Sequence, residues 1–112
     1  MTILTSLDNK LLSQIGYNKA VKSIVIKQAK LAKKANLDAI VCSAKEVKLV
    51  KSVFKKEIIT PGIRLKTKNY DQKRVLTPKQ AYKNGSDWLV IGRPITKGNI
   101  KNNLQTLINH LK

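Results

Sequence analysis

Short apolar runs alternate along the chain with longer stretches in which apolar residues recur every three or four positions. Residues 2–7 (TILTSL) form a short β-type run. Across residues 18–35, Val21, Ile24, Val25, Ala29 and Ala32 mark one face of an amphipathic helix, with Lys on the other. Residues 37–43 (LDAIVCS) contain a strand of the buried type. Residues 44–54 predict a helix with Val47, Val50 and Phe54 inward and Lys45, Lys48, Lys51 and Lys55 outward. Ser43 is its expected N-cap, with Glu46 three positions on as the capping-box partner. Residues 57–63 (EIITPGI) predict a strand ending at Pro61-Gly62, and residues 65–75 are polar and irregular. Residues 77–84 predict a helix capped by Thr77, opened by Pro78 and terminated by Gly85. Residues 87–95 (DWLVIGRPI) predict an apolar strand closed by Gly92-Arg93-Pro94. Residues 99–111 predict a last helix with Ile100, Leu104, Leu107, Ile108 and Leu111 inward. The whole is four βα units in succession. Near-continuous apolar strands are covered on both faces, so the expected fold is α/β with a parallel sheet, in one domain.

Composition narrows the classes. The 112 residues suit one small domain or part of a larger one, and the 42% apolar content suffices for a core. With aromatics at 4%, that core is aliphatic, and Trp88 is expected between sheet and helices. No apolar run is long enough to cross a membrane as a helix. The start, MTILTSLDNK, lacks the basic and apolar regions of a secretory signal, so a cytoplasmic protein is expected. A lone Cys42 and a lone His110 exclude disulfide frameworks and Cys- or His-rich metal clusters within the chain. Cys42 lies within an apolar run and is expected as a buried small hydrophobe.

The formal charge of +17 raises the question of a polyanion partner. Twenty of the 23 basic residues are Lys, and they are spread through every segment. Arg, whose planar fork makes bidentate contacts to phosphates and bases, is present three times. Tyr17, Phe54, Tyr70, Tyr82 and Trp88 lie far apart and make no stacking platform. A solvated Lys-rich surface is the expectation, and a basic polyanion-binding module is the non-enzyme alternative.

Candidate chemistry gathers after the strands, at Thr5-Ser6, Ser43, 61–64 (PGIR) and Gly92-Arg93. Parallel α/β folds carry their sites at these strand ends. Gly92 lets backbone approach a ligand, and Arg93 offers a fork of donors to an anion such as phosphate. Amides near Gly62 and Gly92 add donors. In the long polar loop, Gln72 is placed to close on a phosphate. Catalytic groups are scarce. No Ser/His/Asp set is present, and Asp8-Asn9-Lys10 reads as a solvated loop or a helix start.

Taken in order and at their spacing, Leu4-Thr5-Ser6, 37–44 (LDAIVCSA), 60–64 (TPGIR), 71–74 (DQKR), 76–78 (LTP) and 91–96 (IGRPIT) resemble the C-terminal half of the bacterial orotidine 5′-phosphate decarboxylase family. The resemblance spans essentially the whole chain. It implies half of a TIM (β/α)₈ barrel, strands five to eight. It implies orotidine 5′-phosphate or UMP as ligand, and no metal or organic cofactor. It places Thr5, Arg64, Gln72, Gly92 and Arg93 in the substrate site: Thr5 near the pyrimidine, Gln72 and Arg93 on the 5′-phosphate. The family's catalytic Lys/Asp array, a D-x-K-x-x-D type motif that serves the carbanion formed as CO₂ leaves, belongs to the N-terminal half. It has no counterpart here, so no catalytic residue is assigned and the chain alone is expected to be inactive. Related sugar-phosphate barrel lyases, such as a hexulose-phosphate synthase, share part of the pattern. Four βα units make an open sheet with exposed edges at residues 2–7 and 87–95. The chain is therefore expected to pair with an N-terminal half or with itself, or to aggregate.

Overall fold

A computed structural model describes residues 1–65 and 75–112. Elements follow in the order α1 (Asn9–Gln14), α2 (Val21–Lys34), β1 (Ala39–Val41), α3 (Val47–Lys51), β2 (Glu57–Thr60), α4 (Pro78–Lys83), β3 (Trp88–Leu89), α5 (Arg93–Thr96) and α6 (Ile100–Leu111). The sheet runs β1-β2-β3 with every pair parallel. Ile40 sits opposite Ile58, and Ile59 opposite Trp88.

Local chemistry explains the starts of the helices. Asp8 caps α1 by accepting from the Leu11 amide at 2.9 Å. Asn9 Oδ1 accepts from the Val21 amide at 2.8 Å and so holds the start of α2. The Asp8-Asn9 pair is thus a helix start, as its sequence allowed. Thr77 and Gln80 form a reciprocal capping box on α4, with Pro78 in the first turn and Gly85 past the end at φ +103°. Helix α3 differs from expectation. It begins a turn late, with Glu46 in the N-cap position and the Glu46 amide donating to the Ser43 carbonyl at 3.0 Å. Ser43 is fully buried at the strand end and does not occupy the cap.

The main core lies between the sheet and α2 and α3. Val21, Val25 and Ala29 of α2 meet Ile40, Val47, Val50, Phe54 and Ile58. Cys42 is buried in this cluster as a small apolar side chain. A smaller cluster of Ala44, Ile63 and Ala81, with Leu76 and Leu89 against it, sits toward the C-terminal elements.

Four further expectations are corrected. Residues 2–7 do not form a strand: the Thr2 amide and hydroxyl reach the Val41 carbonyl at 2.9 and 3.0 Å, and the chain then turns. The described residues therefore show three strands, not four. The third, expected over 87–95, is two residues long, although the Val90 amide still reaches the Thr60 carbonyl. Both segments lie at sheet margins, where a ladder forms on at most one side. Helix α6 forms with Asn99 as its cap but buries none of its residues. Its apolar stripe of Ile100, Leu104, Ile108 and Leu111 faces outward because no described element covers it. Trp88, expected in the interior, is 58% exposed, and its indole donates to Glu57 at 3.1 Å.

Candidate functional site

Because the strands are parallel, the loops after β1, β2 and β3 leave the same edge of the sheet. That edge carries 42–44, 61–64 and 92–93. Thr5 reaches it from the N-terminal segment. It is buried, 5% exposed, and packs on Gly62. Gly62 has φ +71°, and a Cβ built there overlaps the Thr5 methyl and stands 3.2 Å from the Thr5 Cβ. The turn after β2 can close on Thr5 only with glycine at this position.

Arg64 leaves that turn inward. Its side chain is 3% exposed, and Nη1 donates to the Ile63 carbonyl at 2.8 Å. The Arg64 amide donates to the Leu76 carbonyl at 3.1 Å, and Ile63 bridges Leu76 in parallel. The two ends of the polar loop are thereby pinned side by side. Gln72 lies outside the described residues.

Gly92 holds the N-cap position of α5, with open space where a side chain would be. The amides of Ile95 and Thr96 fold back onto its carbonyl at 2.9 and 3.1 Å. Arg93 follows on the exposed face of this turn. The turn is fastened from below: Asn103 of α6 donates through Nδ2 to the carbonyls of Ile95 and Lys97 at 2.9 and 2.8 Å.

Two polar clusters beneath the edge carry no signal in the linear sequence, because their members lie far apart along the chain. Ser86 donates to the Thr60 hydroxyl at 2.7 Å, both groups being buried. Asp87 accepts from Lys51 Nζ and from the Ile58 amide, each at 2.8 Å. The lysine bond first and the amide second hold the Asp87 carboxyl below its ordinary value. Both clusters tie the start of β3 to β2 and so set the height of the Gly92 turn. Thr5, the 61–64 turn and the Gly92-Arg93 turn thus share one edge, with an exposed Arg at one side and buried support below.

The Orotidine 5′-phosphate decarboxylase / HUMPS family matches residues 1–104. A protein of Coxiella burnetii (strain RSA 331 / Henzerling II) named orotidine 5′-phosphate decarboxylase is 52% identical over 100 residues, which are 87% of this chain and 42% of the relative. A protein of the same name from the Wolbachia of Brugia malayi (strain TRS) is 51% identical over 110 residues, 96% of this chain and 49% of the relative. The chain therefore spans about half the length of the curated relatives it matches. A solved orotidine 5′-phosphate decarboxylase from Lactobacillus acidophilus superposes with a TM-score of 0.70 at 28% identity, covering 97% of this chain and 47% of that structure.

Proposed function

The chain belongs to the orotidine 5′-phosphate decarboxylase / HUMPS family, and on that footing we propose that it supplies the substrate-binding half of an orotidine 5′-phosphate decarboxylase. The observation that carries this reading is the 52% identity to a relative so named, over 87% of this chain. The names at this identity favour the decarboxylase over a hexulose-phosphate synthase.

In this reading the fold is half of a (β/α)₈ barrel, strands five to eight, with residues 2–7 as the first of the four strand positions. Arg93 and Gln72 hold the 5′-phosphate, Gly92 lets the backbone come close, and Thr5 borders the pyrimidine. Arg64, turned inward, fixes the turn that bears on Thr5. An exposed guanidinium on a turn after a parallel strand suits a dianionic group. Binding energy from this remote phosphate lowers the barrier only if the reacting carbon meets its catalytic groups elsewhere. Those groups are the Lys/Asp array of a complementary N-terminal half, so the chain by itself binds and does not turn over. A cytoplasmic reaction is part of the same reading, since a phosphorylated substrate stays in the compartment where it is made.

Reconstitution tests the proposal. The chain is co-expressed with the N-terminal part of the Coxiella burnetii relative, and release of CO₂ from orotidine 5′-phosphate is followed. Turnover by the pair and by neither part alone is the expected result. A folded, associated pair without turnover overturns it.

A further inference from the structure

Helix α5 is four residues long, a single turn with Arg93 at its start. One turn does not hold itself, because fixing its backbone costs more than its few internal bonds return. Pro94 removes one amide donor from it. The remaining amides act on the two peptide units that flank Arg93. The Ile95 and Thr96 amides donate to the Gly92 carbonyl at 2.9 and 3.1 Å, and the Lys97 amide donates to the Arg93 carbonyl at 3.1 Å. The carbonyls at the far end of so short a turn need acceptance from outside it.

Asn103 supplies two of those contacts. Its Nδ2 donates to the Ile95 carbonyl at 2.9 Å and to the Lys97 carbonyl at 2.8 Å, on either side of Thr96. The side chain stands on a regular helix. The Asn103 amide donates to the Asn99 carbonyl at 3.0 Å, in the first turn of α6, and Asn99 caps that helix.

We infer that Asn103 is the residue that positions Arg93 for the phosphate, by locking the backbone turn from which the guanidinium reaches. The inference rests on the phosphate reading of Arg93 and adds the group that aims it. The linkage is short. Asn103 holds Ile95 and Lys97, and their amides hold the carbonyls before and after Arg93. Asparagine suits the task. Its carboxamide offers two N–H donors in one plane on a short stem, whereas leucine has a similar size and no donor. A bidentate guanidinium–phosphate contact tolerates little displacement of the fork. Without Asn103 the guanidinium is still present but no longer aimed, so the loss is smaller than that from removing Arg93. The main core is untouched, since it lies between the sheet and α2 and α3.

Binding of UMP and of uridine separates positioning from folding, because uridine has the same base and ribose and lacks the phosphate. Both are titrated against the chain paired with the N-terminal part of the Coxiella burnetii relative. Asn103→Leu is expected to weaken UMP binding about tenfold and to leave uridine binding unchanged. Asn103→Ala is expected to do the same, so that a folding failure in one variant leaves the other to decide. In the unpaired chain, hydrogen exchange at the Ile95 and Lys97 amides is expected to quicken in both variants, with exchange in α2 unchanged. Full UMP affinity in the variants, or unchanged exchange at those two amides, overturns the inference and leaves the phosphate reading of Arg93 standing. Equal losses for UMP and uridine also overturn it, since they mark a merely structural role. Wild type that binds UMP no better than uridine removes the phosphate reading, and the inference with it.

Discussion

At Gly62 the chain has room for a hydrogen and nothing larger, because Thr5 lies directly against it. Gly62→Ala meets both a backbone at φ +71° and the Thr5 methyl. It is expected to lower stability by about 2–3 kcal/mol in urea titrations. In a Thr5→Ala background the steric part is relieved, and about 1 kcal/mol of backbone strain remains. Asp87 makes a different kind of constraint. Its carboxylate is favoured in the fold by Lys51 and the Ile58 amide, so its folded pKa lies below its unfolded one. The stability it adds is present above the ordinary carboxylate range and is lost as pH falls through the folded value. At 39% exposure the pair is partly screened, and Asp87→Asn is expected to cost on the order of 1 kcal/mol at pH 7. The variant's urea midpoint also falls less than the wild type's between pH 5 and 3. Among the residues of the proposed site, Gly92 and Arg93 were legible as groups past a strand, whereas Thr5 was expected at the end of a strand that residues 2–7 do not form. The inward turn of Arg64 was not legible, since burial of a guanidinium depends on what surrounds it and not on its neighbours in sequence.

Helix α4 shows an element written almost wholly in adjacent residues. Thr77, Pro78, Gln80 and Gly85 specify its start and stop within nine positions, and the structure uses each of them. Thr77→Ala removes the capping box, and its expected cost is about 1 kcal/mol in thermal or urea unfolding. Helices α2 and α3 bury the faces their spacing marked. The sheet margins were less legible. A β-type run becomes a strand when a neighbour completes its ladder, and residues 2–7 and 87–95 each lie at a margin. Helix α6 makes the same point: its periodicity is real, but its apolar stripe has nothing to cover it. Truncation there is therefore nearly harmless in the isolated chain. Leu104→Ala is expected to change stability by less than about 1 kcal/mol, whereas Phe54→Ala in the main core costs about 3–5 kcal/mol.

The whole molecule is asymmetric in its packing. One core sits beneath α2 and α3, a thin one lies toward the C-terminal elements, and α6 has no buried residue. A radius of gyration of 14.8 Å, against about 13 Å for a compact chain of this length, reflects the same openness. The strand ends, and with them the proposed substrate groups, are set by the main core, while the sheet margins and α6 are thinly packed. In the proposed function Arg93 holds the ligand's phosphate. UMP affinity, measured by isothermal titration on the chain paired with the Coxiella burnetii N-terminal part, tests it most directly. A charge-assisted phosphate contact is worth about 1.5–3 kcal/mol, so Arg93→Ala is expected to weaken UMP binding by about 10- to 150-fold while Lys112→Ala leaves it unchanged. Equal affinity in wild type and Arg93→Ala contradicts the account.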